Sequence, residues 1–250
     1  LLEGAQPDLR VLIVSDHASN NVPADIDLGI DPALLDQHIA VDIGVSGVAK
    51  LMAQRDGYAA FLGNVSRLVC DFNREEHQPD VIPRISDGHP IPGNALDHAG
   101  RQERLDRFFR PYHAALARLL VKNPSALILS LHSFTPKLET DPEKERPWHV
   151  GVLYNEDSRS ALHAIPLLEA EGLCVGDQQP YSGRLLNATM NRHAEAHGRP
   201  YLGIEIRQDQ IGSVEAQMVW ADRLVRTCNE VALKLCAEHC KAPANAVLTK

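Results

Sequence analysis

The sequence predicts an α/β fold built on a largely parallel sheet covered by helices, and three features carry that prediction. Five short apolar runs, at 10–15, 58–63, 126–131, 149–154 and 201–206, are rich in valine, isoleucine and leucine, the composition of strands buried on both faces. Longer amphipathic stretches separate them, as the crossover connections between parallel neighbours require. With 250 residues, 44% of them hydrophobic and 23% charged, the chain can bury an ample core, and one domain spanning 1–250 is expected.

Taken in order, the run VLIVS at 11–15 is a strand that ends in the polar cluster SDHASN. A helical pattern over 32–55 leads to the strand at 58–63. In VCDFNR, an extended backbone would send Asp71 and Asn73 one way and Arg74 the other, and the polar EEHQPD that follows ends any strand there. Residues 75–94 contain four prolines and two glycines without periodicity, so they read as a loop long enough to be a lid or a binding segment. The helical pattern over 95–122 places Leu105, Phe108, Phe109, Tyr112, Leu116 and Leu119 at near-helical spacing, a core-facing stripe. After the strand at 126–131, the charged 135–148 reads as a solvent-exposed connection. The strand at 149–154, helices over 158–171 and 187–197, the strand at 201–206 and a helix over 213–239 complete the chain.

Composition excludes several classes of function. A formal charge of −8 argues against a nucleic-acid-binding surface, so an anionic substrate would need a local arginine to hold it. No apolar stretch approaches the roughly 20 residues that cross a bilayer, and LLEGAQPDLR lacks a signal-peptide pattern, so a cytoplasmic protein is expected. The five cysteines (70, 174, 228, 236 and 240) are odd in number and form no CxxC pair; they read as buried free thiols.

His17 and His132 are the first imidazoles beyond two buried strands, the position at which open α/β sheets collect their chemistry. Two neutral imidazoles converging there point to a divalent metal. Catalytic zinc typically takes three protein ligands and keeps a fourth position for water. The third is Asp16 or Asn20; a carboxylate binds a cation better than an amide does, whereas an extended 11–17 would turn Asp16 away from His17. Glu205 lies inside the apolar run YLGIEIRQD, where an ionisable group needs a partner or a cavity. It either pairs with Arg207 on the same strand face or acts as a general base for a metal-bound water. Arg74 can hold a carboxylate through two parallel hydrogen bonds, with Arg67, Arg184 and Arg207 as competing anchors. His193 is a further candidate; the remaining histidines read as core or solvated residues.

These clusters, together with HIAVDIG (38–44), SRLVCDFNR (66–74), PRISDG (83–88), IPGN (91–94), YHAAL (112–116), SLHSFTP (130–136), GVLYN (151–155) and MNRHAEAHG (190–198), resemble the N-formylglutamate amidohydrolase family over about residues 10–215. The family is similar to the wider group of zinc-dependent exopeptidases and deacylases. The resemblance implies a three-layer α/β/α sandwich with a mixed, largely parallel sheet, a zinc ion, and hydrolysis of N-formyl-L-glutamate or a similar small N-acyl amino acid. It further implies His17 and His132 as ligands, Asn73 and Arg74 as the grip on the α-carboxylate, and Glu205 as base, with Arg184 or Arg207 left for the γ-carboxylate. Asn20 stands where that group has a glutamate, so Asp16 and Asn20 remain the two choices for the third ligand. The same scaffold could serve another acyl amino acid or a short peptide, or bind a small molecule without turnover, and a homo-oligomer is compatible with it.

Overall fold

All five apolar runs form strands of one seven-stranded sheet in the computed structural model, which describes residues 2–4, 8–124 and 126–241. The strands are Leu2–Glu3 (β1), Val11–Ser15 (β2), Tyr58–Leu62 (β3), the separate hairpin Ile85–Ser86 (β4) and His89–Pro90 (β5), Leu127–Phe134 (β6), Val150–Leu153 (β7), Val175–Asp177 (β8) and Tyr201–Arg207 (β9). In the large sheet the order is β1-β3-β2-β6-β9-β7-β8. The four central strands β3, β2, β6 and β9 run parallel, while β1 and the β7/β8 pair run against their neighbours. The carboxyl ends of β2, β6 and β9 therefore share one edge.

Helices Val45–Met52 (α1), His98–Arg104 (α2), Arg110–Lys122 (α3), Arg159–Ala170 (α4), Ala188–His193 (α5) and Val214–Lys241 (α6) cover the sheet. Alternation along the strands divides the core in two. Val11 and Ile13 pack with Val48 of α1, Ala164 of α4 and Leu224 of α6, whereas Leu12 and Val14 pack with Phe109, with Tyr112 and Leu116 of α3 and with Met190 of α5. This is the three-layer α/β/α sandwich with a mixed, mostly parallel sheet. Each fully buried aliphatic side chain contributes roughly 1.5–3 kcal/mol, so the central strands form a rigid platform for the loops at their ends. Among the described residues no helix is long and apolar enough to cross a membrane.

Two departures from the predicted elements shape the site. The helix expected over 32–55 breaks into a short 3-10 turn at Pro32–Asp36 and α1, with an irregular stretch between them. Gly44 starts α1 at φ 81°, and a Cβ there would lie 2.4 Å from the carbonyl oxygen of Ile211, so only glycine fits the turn. The helix over 95–122 is interrupted by a π-turn at Leu105–Phe109, where the Arg110 N–H reaches back to Leu105 O just before Pro111, which has no N–H of its own. The short strands β1, β4, β5 and β8 were not predicted, and 66–74 forms turns, with Cys70 N–H on Ser66 O. Cys70 and Cys228 are buried free thiols as expected, but Cys174, Cys236 and Cys240 are exposed, because they lie on outward-facing positions of a strand lead-in and of α6.

Candidate active site

Strand β2 stops at Ser15, whose hydroxyl donates to Leu131 O on β6 at 2.5 Å, and the backbone turns over Asp16 and His17. That turn removes the opposite-face constraint an extended 11–17 would impose. On the next strands the register pairs His132 with Glu205, so the two side chains stand side by side on one face. The irregular stretch before α1 brings Asp42 to the same place, its N–H donating to His17 O at 3.0 Å. His17, Asp42 and His132 each offer a ligand atom, all within 4.8 Å of one another, and all three are buried.

Around this trio the contacts with carboxylates fall into an inner and an outer set, of which His17 Nε2–Asp71 and His132 Nδ1–Asp42 are hydrogen bonds. Asp42 Oδ2 lies 2.8 Å from His132 Nδ1 and 3.4 Å from His17 Nδ1. The outer nitrogens each face a second buried carboxylate: His17 Nε2 is 2.7 Å from Asp71 Oδ1, and His132 Nε2 is 3.5 Å from Asp16 Oδ2. The Tyr112 hydroxyl donates to the other Asp16 oxygen at 2.6 Å, and its ring stacks on Phe72. A carboxylate behind each imidazole is the arrangement that orients metal-ligating histidines. The buried atoms left without a hydrogen-bond partner include His17 Nδ1 and Glu205 Oε2. Leaving such groups unmet costs about 1–3 kcal/mol each, and a cation between Asp42 and the imidazoles would meet the first of them. The donor set therefore fits a divalent metal.

Electrostatics agree. Burial opposes ionisation of Asp42, but His17 and His132 override it and hold its carboxyl far below the usual carboxylate range. Burial likewise opposes charge on Asp71 and Asp16; His17 and Arg67 lower the first, and His132 and His17 the second. Burial and Arg67 disfavour a charged His17, yet Asp71 and Asp42 raise its pKa; His132 is raised further by Asp16 and Asp42. A metal must displace those protons to bind. Burial pushes the Glu205 carboxyl up to about 7, against the lowering effect of His132.

His17, Asp42, His132 and Glu205 wall a cavity that also includes His38, Arg67, Asn73, Arg74 and Tyr181. Arg67 donates to Asp71 at 3.0 Å and to Asp42 at 3.4 Å. Asn73 Oδ1 accepts the Thr189 N–H, and Arg74 donates to Asp80 at 2.8 Å and to Asn73 O at 3.0 Å. Six of the anticipated residues, His17, His132, Glu205, Asn73, Arg74 and Arg67, thus border one cavity. Glu205 makes no pair with Arg207.

Others lie elsewhere. Neither Asp16 nor Asn20 belongs to the ligand trio: Asp16 stands behind His132, and the Asn20 amide donates to Asp36 on an exposed surface. Arg184 is exposed and outside the cavity, and Arg207 is engaged by Asp209 and by the carbonyls of Arg146 and Pro147. His193 sits in the core, 2.9 Å from His113, and burial pushes it down to about 4 and His113 to about 3. Sequence reasoning missed Asp42. Its signal was present in HIAVDIG, where a lone carboxylate among apolar residues precedes a glycine that cannot continue a helix at low cost.

The model of the protein family described as N-formylglutamate amidohydrolase matches residues 9–212. The chain belongs to that family. It is an amidohydrolase whose His17, Asp42 and His132 form a site suited to metal-activated catalysis. A solved structure of the gene product Atu2144 from Agrobacterium tumefaciens shares 29% sequence identity with a TM-score of 0.88, covering 94% of this chain and 95% of its own. The N-formylglutamate amidohydrolase from Ralstonia eutropha JMP134 shares the fold at 19% identity and a TM-score of 0.72, with 95% of this chain and 98% of that one covered. No curated protein matches the chain.

Proposed function

We propose that this amidohydrolase cleaves the amide of N-formyl-L-glutamate, or of a closely similar N-acyl amino acid, with zinc held by His17, Asp42 and His132. Two imidazoles and one carboxylate form a three-ligand set that leaves a fourth position open, which supports zinc among divalent metals. Bound there, the metal supplies a polarised carbonyl and a water acidified from a pKa of 15.7 to about 7. Glu205 receives the proton of the attacking water and returns it to the nitrogen of the departing amine. Arg74, with Asn73 beside it, holds the α-carboxylate, and Arg67 offers donors to the oxygen that gains charge as the carbonyl is attacked.

The observation that carries this reading is Glu205, buried at Oε2 without a partner, side by side with His132 and titrating near neutrality. The test is release of formate from N-formyl-L-glutamate by metal-loaded protein. Glu205→Gln should keep its metal and lose about 10²–10⁴-fold in turnover. A fully active Glu205→Gln protein, or a metal-loaded wild type that releases no formate, overturns the proposal. A second reading, the same chemistry on an N-acyl amino acid without an acidic side chain, is favoured by the placement of Arg184 and Arg207 outside the cavity. Comparing N-formyl-L-glutamate with N-acetyl and N-succinyl substrates separates the two.

A further inference from the structure

A substrate with two carboxylates needs two cationic partners in the cavity, and the arginines expected to supply the second lie outside it. Of the side chains lining the cavity that can carry a positive charge, Arg74 is assigned to the α-carboxylate, Arg67, which also holds Asp42 and Asp71, to the oxygen that gains charge, and His17 and His132 face the metal position. His38 remains. Its Nε2 is 3.0 Å from Asp87 Oδ2, and an ionised carboxylate can only accept, so the ring donates there and Nδ1 is left without a protein partner among the described residues.

Asp87 is itself held firmly. It occupies a left-handed conformation at φ 42°, rare for a residue with a side chain, and accepts the N–H groups of Glu139 and Thr140 and the Thr140 hydroxyl. One carboxylate therefore ties the 75–94 loop to the 135–148 loop and fixes the ring of His38 at the cavity wall. A structural clasp would not need an imidazole lining the site. We propose that His38, oriented by Asp87, anchors the side-chain carboxylate of the substrate, an inference that rests on the acidic N-acyl amino acid reading above.

The protonation state follows from its surroundings. Burial lowers the pKa of His38, and among the charged groups near it Asp87 and Glu139 favour the protonated ring while Arg67 opposes it. A carboxylate arriving at Nδ1 adds a negative charge that favours protonation. Binding of the acidic ligand thus takes up a proton at this ring, and Nδ1–H donates to the carboxylate.

The test uses metal-loaded full-length protein with N-formyl-L-glutamate and N-formyl-L-glutamine, equal in length but differing in side-chain charge. His38→Ala, and His38→Gln as a polar replacement, should lower the preference for the acidic substrate by about 10-fold or more, through KM rather than kcat. Asp87→Asn should shift it in the same direction by less. Calorimetry of L-glutamate binding, which requires no turnover, should show greater proton uptake in the wild type than in His38→Gln. An unchanged substrate preference together with unchanged proton uptake overturns the role of His38 even if formate release is confirmed. His38-dependent proton uptake in a protein that releases no formate keeps this anchor and rejects the reaction instead.

Discussion

Replacing Asp71 by asparagine tests whether the carboxylates behind the histidines hold the metal centre together. Asp71 is buried, 2.7 Å from His17 Nε2 and 3.0 Å from the Arg67 guanidinium, and it accepts the Asn73 N–H at 2.9 Å. Asparagine keeps the shape and its oxygen can still accept from His17 and Asn73, so the change removes the charge together with the acceptor that faces Arg67. Loss of such an outer carboxylate costs about 10–100-fold in metal affinity, equivalent to about 1.4–2.7 kcal/mol. Arg67 is left with only its 3.4 Å contact to Asp42, which adds a stability cost. Because the folded pKa of Asp71 is depressed, its contribution to stability is present above the unfolded value near 3.8 and is lost as pH falls through the folded pKa. Competition between the protein and a chelator for zinc measures the affinity, and thermal unfolding of the metal-free protein measures the fold. An affinity within 2-fold of wild type, with the fold intact, would refute the view that Asp71 orients His17.

Three more outcomes follow from the same geometry. The Glu205 carboxyl titrates at about 7, and a bound cation beside it lowers that value, so kcat/KM should rise with pH through an acid limb between the ordinary carboxyl value and about 7; a pH–rate profile without that limb argues against Glu205 as base. Tyr112→Phe removes one buried hydrogen bond to Asp16 and should cost about 1 kcal/mol, or roughly 2–4 °C in Tm by calorimetry. Asn20→Ala breaks only an exposed contact to Asp36 and should leave zinc affinity within about 2-fold, as a chelator titration will show.

The four central strands and β7 were legible because runs such as VLIVS and ALILSL are buried on both faces, and hydrophobicity alone marks them. β1 and β8 were not, since two- and three-residue edge strands carry no period. Within the site, His17, His132 and Glu205 were legible because each interrupts or terminates an apolar strand, where a polar group requires a reason. Asp42 escaped notice because 32–55 reads as one amphipathic helix, and the close approach of Gly44 to Ile211 at the break is visible only in the fold. Arg184 and Arg207 looked like anchors because both are near site motifs in sequence; in the fold Asp209 and two backbone carbonyls hold Arg207 away from the cavity.

The most direct test of the central claim, that His17, Asp42 and His132 hold one divalent metal, is the metal content of wild-type and Asp42→Asn protein after identical zinc loading and dialysis. About one equivalent is expected in the wild type, with a loss of bound zinc in Asp42→Asn while the fold remains. Equal zinc content in the two proteins would contradict it and return the third ligand to Asp16 or Asn20.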